Sequence, residues 1–134
     1  MERFIKAQKI YYNDALKELR NGKKESHYMW FIFPQIRGLG SSFNAEYYGI
    51  KDLEEAREYW SNEYLRNNYL ELCNVLLSLD DNNARHIFGY TDGVKLKSSL
   101  TLFYLSSNSE VIHKVLGKFY NYELDMKTIS LLQK

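Results

Sequence analysis

From Glu2 to Arg20 the chain places Phe4, Ile5, Gln8, Tyr12, Ala15, Leu16 and Leu19 three or four positions apart, with charged residues between them. This spacing puts one buried face on an amphipathic helix, and Asn21-Gly22 supplies a C-terminal stop. The next apolar run, YMWFIF, is denser and more aromatic. Ser26 is positioned to cap a short helix from His27 to Phe33, and Pro34 ends it because the residue before a proline is pushed out of the α region. Aromatic and β-branched residues also favour strands. With no second strand to pair with, helix is the better reading.

The same punctuation continues downstream. Asp52 and Glu55 form a capping box ahead of LEEAREYW, and Asn62 precedes a run in which Tyr64, Leu65, Tyr69, Leu72, Leu76 and Leu79 hold one helical face. Asp81 is read as the start of NNARHIFG, Asp92 of GVKLKSSLTLFYLS, Ser109 of EVIHKVLGKFY and Asp125 of MKTISLLQ. A cap before nearly every apolar run predicts an all-α, compact single-domain bundle of about seven or eight short helices over residues 1–134.

Composition narrows the function classes. Eighteen basic against seventeen acidic residues leave a net charge of +1, so bulk nucleic-acid binding, which depends on neutralising phosphates, is not expected. Twelve Tyr, seven Phe and two Trp suit a core whose edges open onto water or ligand, because tyrosine joins a packing surface to a polar tip. The lone Cys73 forms no internal disulfide and reads as a small buried hydrophobe. No apolar run is long enough to span a membrane, and MERFIKAQ lacks the basic-then-apolar order of a signal peptide, so no membrane partner and a cytoplasmic location are expected. Nothing in the pattern specifies an oligomeric state.

Three stretches carry candidate chemistry. In QIRGLGSS, Gln35, Arg37, Gly38, Leu39, Gly40, Ser41 and Ser42 combine a turn with amide, guanidinium and hydroxyl donors suited to a phosphate or carboxylate. The full GxGxxG pattern and the P-loop lysine are missing, and a tight connection after a proline-stopped helix is the plainer account of the turn. In SHYMWFIF, His27 has a side chain suited to acid–base work, flanked by Ser26 and Tyr28, while Trp30 and Phe33 offer flat surfaces able to stack a ring. The alternative is a hydrogen-bonded histidine beside ordinary core aromatics. In DGVKLKSSL, Lys95, Lys97, Ser98 and Ser99 form a polar set near a helix start, where free amides attract anions. A solvated helix face is the other reading. His27, His86 and His113 are widely spaced, so no metal site and no cofactor are expected.

RFIKAQ, YNDALKEL, GKKESHYMWFIFPQIRGLGSS, YYGIKDLEEAREY, IFGYTDGVKLKSSLTLF and VLGKFYNYELDMKTISLL, in this order over nearly the whole chain, resemble the domain-of-unknown-function family 1810. The resemblance implies an all-α single-domain fold and no particular reaction. Against the family pattern, Tyr28 stands where a tryptophan is usual and Leu100 where a methionine is common.

The functional expectation is a small-molecule binding protein for an anionic, nucleotide-like ligand, which it would sense, carry or sequester, including a signal derived from NAD. Arg37 and the Gly38–Ser42 loop would hold phosphates, Lys95, Lys97, Ser98 and Ser99 would form a second polar wall, and Trp30 or Tyr28 would stack the ring. Two other classes stay open: an enzyme acting on a nucleotide or ADP-ribose-like substrate with His27 as acid or base, and a protein interaction module presenting Tyr47, Tyr48 and Tyr64.

Overall fold

In the computed structural model, which describes residues 1–134, α1 (Glu2–Arg20) buries Phe4, Ala7, Gln8, Tyr12, Ala15 and Leu19 along the predicted face. The aromatic run is helical over a shorter span, α2 (Met29–Ile32), and its N-cap is Tyr28, with no side-chain cap. Ser26 instead gives its amide and hydroxyl to the Glu18 carboxylate, at 2.8 and 2.5 Å, fastening the α1–α2 connection. Pro34 ends α2, and Ile36 and Ile50 then form a single parallel β-bridge.

Ser42 caps the short α3 (Phe43–Tyr47) by accepting from the Ala45 amide. Asp52 caps α4 (Leu53–Ser61), accepting from the Glu55 amide at 2.9 Å, and the Glu55 carboxylate reaches back to the Lys51 amide at 3.0 Å. Asn62 caps α5 (Glu63–Ser78). Ser109 caps α7 (Glu110–Tyr120) and Asp125 caps α8 (Met126–Leu132).

Two of the expected starts fuse into one element, α6 (Ala84–Ser107). Asn83 is its cap, and Asp81 acts one step earlier by accepting from the Asn83 amide at 2.8 Å. Gly89, at φ 80° and ψ 169°, breaks the helix and lets it restart in a new direction, so Asp92 lies inside the restarted segment rather than capping it.

Helix α6 is the axis of the bundle, packing on α2, α4, α7 and α8, while α1 packs on α2 and α5, and α5 also packs on α4 and α7. At the centre the Phe103 ring lies 4.9 Å from Tyr59 and 5.0 Å from Tyr69, centroid to centroid. Truncating such a ring to alanine typically costs about 3–5 kcal/mol. The Tyr59 phenol is satisfied: the Gln8 amide donates to its hydroxyl at 3.0 Å and also to the Phe31 carbonyl at 2.7 Å. Lys118 closes the C-terminal end of α5 by donating to the Leu76, Leu77 and Leu79 carbonyls. No helix is long and apolar enough to cross a membrane.

Candidate functional site

Between the α2–α3 connection and the restarted part of α6 lies a cleft of about 510 Å³. One wall begins with Trp30 and Gln35 and continues through Leu39, Gly40, Ser41 and Ser42. The bridge holds this wall in place: the Arg37 amide donates to the Ile50 carbonyl at 2.8 Å, and the Ile50 amide to the Gln35 carbonyl at 3.0 Å. Gly49 makes the crossing feasible, because a Cβ there would lie 2.7 Å from the Ala45 carbonyl oxygen and 2.9 Å from the Arg37 Cα.

The opposite wall is one face of α6. Thr91, Val94, Lys95 and Ser98 stand three or four positions apart and so project together. The floor is tied to α8: the Ser98 hydroxyl donates to Asp125 Oδ2 at 3.0 Å, and the same oxygen accepts from the Thr128 amide at 3.1 Å and the Thr128 hydroxyl at 2.6 Å. Lys127, in the first turn of α8, completes the rim.

The charges are unevenly committed. Asp92 binds Lys24 at 2.7 Å, and that lysine side chain is only 5% exposed and lies 4.7 Å from the centre of the Tyr28 ring. Lys95 receives only a longer contact from Asp92, 3.9 Å, and sits 5.3 Å from the centre of the Trp30 ring. The cleft therefore offers two loosely held ammonium groups, Lys95 and Lys127, against one carboxylate, Asp125, whose Oδ2 is taken up by Ser98 and Thr128. Two aromatic surfaces, Trp30 and Tyr90, complete a mostly apolar pocket with a few placed polar groups.

A recess of about 30 Å³ adjoins the cleft at Trp30 and Lys95 and is lined also by Lys24, His27, Tyr28 and Asp92. His27 is exposed there, and no carboxylate pairs with it; the histidine that has such a partner is His86, at 3.2 Å from Asp81. The Tyr28 hydroxyl is buried without a hydrogen bond. Burial, followed by the negative charges of Glu18 and Asp92, pushes its ionisation far above the usual phenol range. The Tyr28 phenol thus stays protonated near neutral pH.

The cleft gathers half of the residues singled out in the sequence: Trp30, Gln35, Leu39, Gly40, Ser41, Ser42, Lys95 and Ser98. The others lie elsewhere. Arg37 points outward, its guanidinium on the Gly49 carbonyl at 3.3 Å, and Gly38 backs onto Leu131. Ser26 is bonded to Glu18. Tyr28 and Phe33 are core residues, Phe33 packing edge-on against Tyr69 and Phe88. Ser99 is fully buried and shares a 2.8 Å hydrogen bond with the Tyr69 hydroxyl. Lys97 leaves α6 on the other side, 3.6 Å from Glu123. Helical phase is the reason, since residues two apart point roughly 200° away from each other. Thr91 and Val94 complete the Lys95–Ser98 face and were detectable from spacing alone. Tyr90, four residues before Val94, follows from the same spacing, whereas Ala45, Asp125 and Lys127 join the cleft only through tertiary packing.

The sequence pattern of the family described as "Protein of unknown function (DUF1810)" matches residues 1–132. The crystal structure of the conserved hypothetical protein Rv1873 from Mycobacterium tuberculosis superposes with a TM-score of 0.96 at 39% identity, covering 99% of this chain and 96% of that one. No curated protein matches.

Proposed function

Since the chain belongs to the DUF1810 family, described only as of unknown function, we propose a role from the cleft itself: binding of an anionic, ring-bearing small molecule of the nucleotide type. The observation that carries this reading is the meeting of Lys95 and Trp30 in one cleft of about 510 Å³ whose facing wall is rich in hydroxyls. Lys95 and Lys127 attract the anion, Ser41, Ser42 and Thr91 hydrogen-bond its oxygens, and Trp30 or Tyr90 covers the ring. A cleft of this size matches small-molecule sites in general, which run to about 300–1,000 Å³. Such a protein senses, carries or sequesters its ligand.

Isothermal titration and thermal-shift measurements with nucleotides, ADP-ribose derivatives and sugar phosphates test the reading. Saturable binding that is weakened in Lys95→Met is the expected result. Uniform absence of stabilisation across all three classes would overturn it.

A second reading, turnover of the same ligand, draws on the recess that brings His27 next to Trp30 and Lys95. His27→Ala would then abolish product formation, followed by chromatography, while retaining affinity. The absence of an orienting partner for His27 ranks this reading below binding.

A further inference from the structure

A second cleft, of about 460 Å³, lies on the other side of the restarted α6 segment. Tyr90 and Val94 line both clefts, and they stand four residues apart, so they form one ridge between them. Both ridge residues are exposed, Tyr90 at 66% and Val94 at 47%. On the far side the lining repeats the chemistry of the first cleft. Lys97 and Arg85 supply positive charge, Phe119 and Tyr120 supply rings, and Asn82 and Asn83 supply polar side chains; no acidic residue lines the cleft, and the exposed Glu123 stands 3.6 Å from Lys97 at its edge. The Arg85 guanidinium lies 5.0 Å from the centre of the Tyr90 ring, at the crossing point itself.

We infer that the two clefts are lobes of one groove, and that its ligand is of the dinucleotide class: two ring-bearing units joined through phosphates that cross the Tyr90–Val94 ridge. This deepens the proposed function and rests on it. A mononucleotide fills one lobe and leaves the other cationic, aromatic lobe in water. Joining two units makes occupation of the second lobe intramolecular, which raises affinity without any new kind of contact. Arg85, held over Tyr90, meets the bridging phosphates, because a guanidinium can bind two oxygens at once. Lys95 and Lys97, which diverge from α6, each serve one lobe.

Calorimetric titration of the intact protein with adenosine monophosphate and with diadenosine diphosphate tests the inference. Diadenosine diphosphate is expected to bind one-to-one and about tenfold or more tightly than the monophosphate. Arg85→Ala and Lys97→Ala should each lower the affinity for the dinucleotide by about fivefold more than the affinity for the mononucleotide. If the monophosphate binds and the dinucleotide gains nothing over it, or if both variants weaken the two probes equally, the two-lobed groove is wrong and the single-cleft reading survives. If neither probe binds, the dinucleotide inference falls, while the single-cleft reading is decided by the wider panel of nucleotides, ADP-ribose derivatives and sugar phosphates.

Discussion

Lys95 and Trp30, on different helices, face each other across the mouth of the cleft, with the ammonium nitrogen 5.3 Å from the centre of the indole ring. The nearby Asp92 carboxylate, at 3.9 Å, is too far to hold the ammonium by a hydrogen bond. Lys95→Met keeps the stem and removes the charge. It is expected to weaken binding of an anionic nucleotide by about tenfold, in line with a charge-assisted contact. Arg37→Ala is expected to change the same affinity by less than about twofold, because the Arg37 guanidinium is occupied by the Gly49 carbonyl outside the cleft. Calorimetry on the two variants separates these outcomes.

Gly49→Ala tests the crossing that holds the serine-bearing wall. The added methyl would meet backbone atoms of Ala45 and Arg37, and neither can swing aside as a side-chain tip would. The expected cost is about 2–3 kcal/mol of unfolding free energy, typical of forced overpacking. Urea denaturation measures it. Where the variant folds, its Ile36–Ile50 bridge should open, with faster amide exchange at Arg37 and Ile50.

Asp125 joins the floor of the cleft to the start of α8. Asp125→Ala removes the cap and leaves the Ser98 and Thr128 hydroxyls without their shared acceptor, at an expected cost of about 1–2 kcal/mol. Ser98→Ala should cost less than about 1 kcal/mol, because the carboxylate keeps both Thr128 donors. The urea midpoints of the two variants give the comparison.

The Glu18 carboxylate predicts a pH dependence. Burial acts to raise its pKa, but hydrogen bonds from the Ser26 hydroxyl and amide and the Glu25 amide outweigh it and hold the group below its ordinary value of 4.5. A carboxylate with a depressed folded-state pKa stabilises the fold at pH above the unfolded value, and that contribution disappears as pH falls through the folded value. The gap in melting temperature between the wild type and Glu18→Gln should therefore be constant from pH 7 to about 5.5 and shrink below about 4.5. A gap that stays constant down to pH 3 would contradict the assignment.

The helices were legible because their signals are local. Asp52, Asn62, Ser109 and Asp125 each cap the helix that follows within three residues, and no distant contact is needed to read them. Ser26 misled because its hydroxyl had two uses, and the long-range partner, Glu18, won. The site was legible only in halves. Both walls were visible as polar stretches, but their pairing depends on the break at Gly89, which sets the phase of α6 and so turns Lys95 inward and Lys97 away. Arg37 misled in the opposite way: its charge suggests a ligand, yet the bridge that orders the neighbouring backbone turns its side chain out. Asp125 and Lys127, about thirty residues from Ser98 and Lys95 along the chain, had no sequence signal to link them to the cleft.

Gly89 stands in open space: a side chain added there would touch nothing within 4 Å. Yet at φ 80° and ψ 169° the backbone adopts a shape ordinary for a mirror-image residue and costly for an L one. What the position demands is achirality, not smallness. The orientation of the cleft is therefore fixed by the handedness that one residue lacks, and no adjustment of neighbouring side chains can make up for an L residue there.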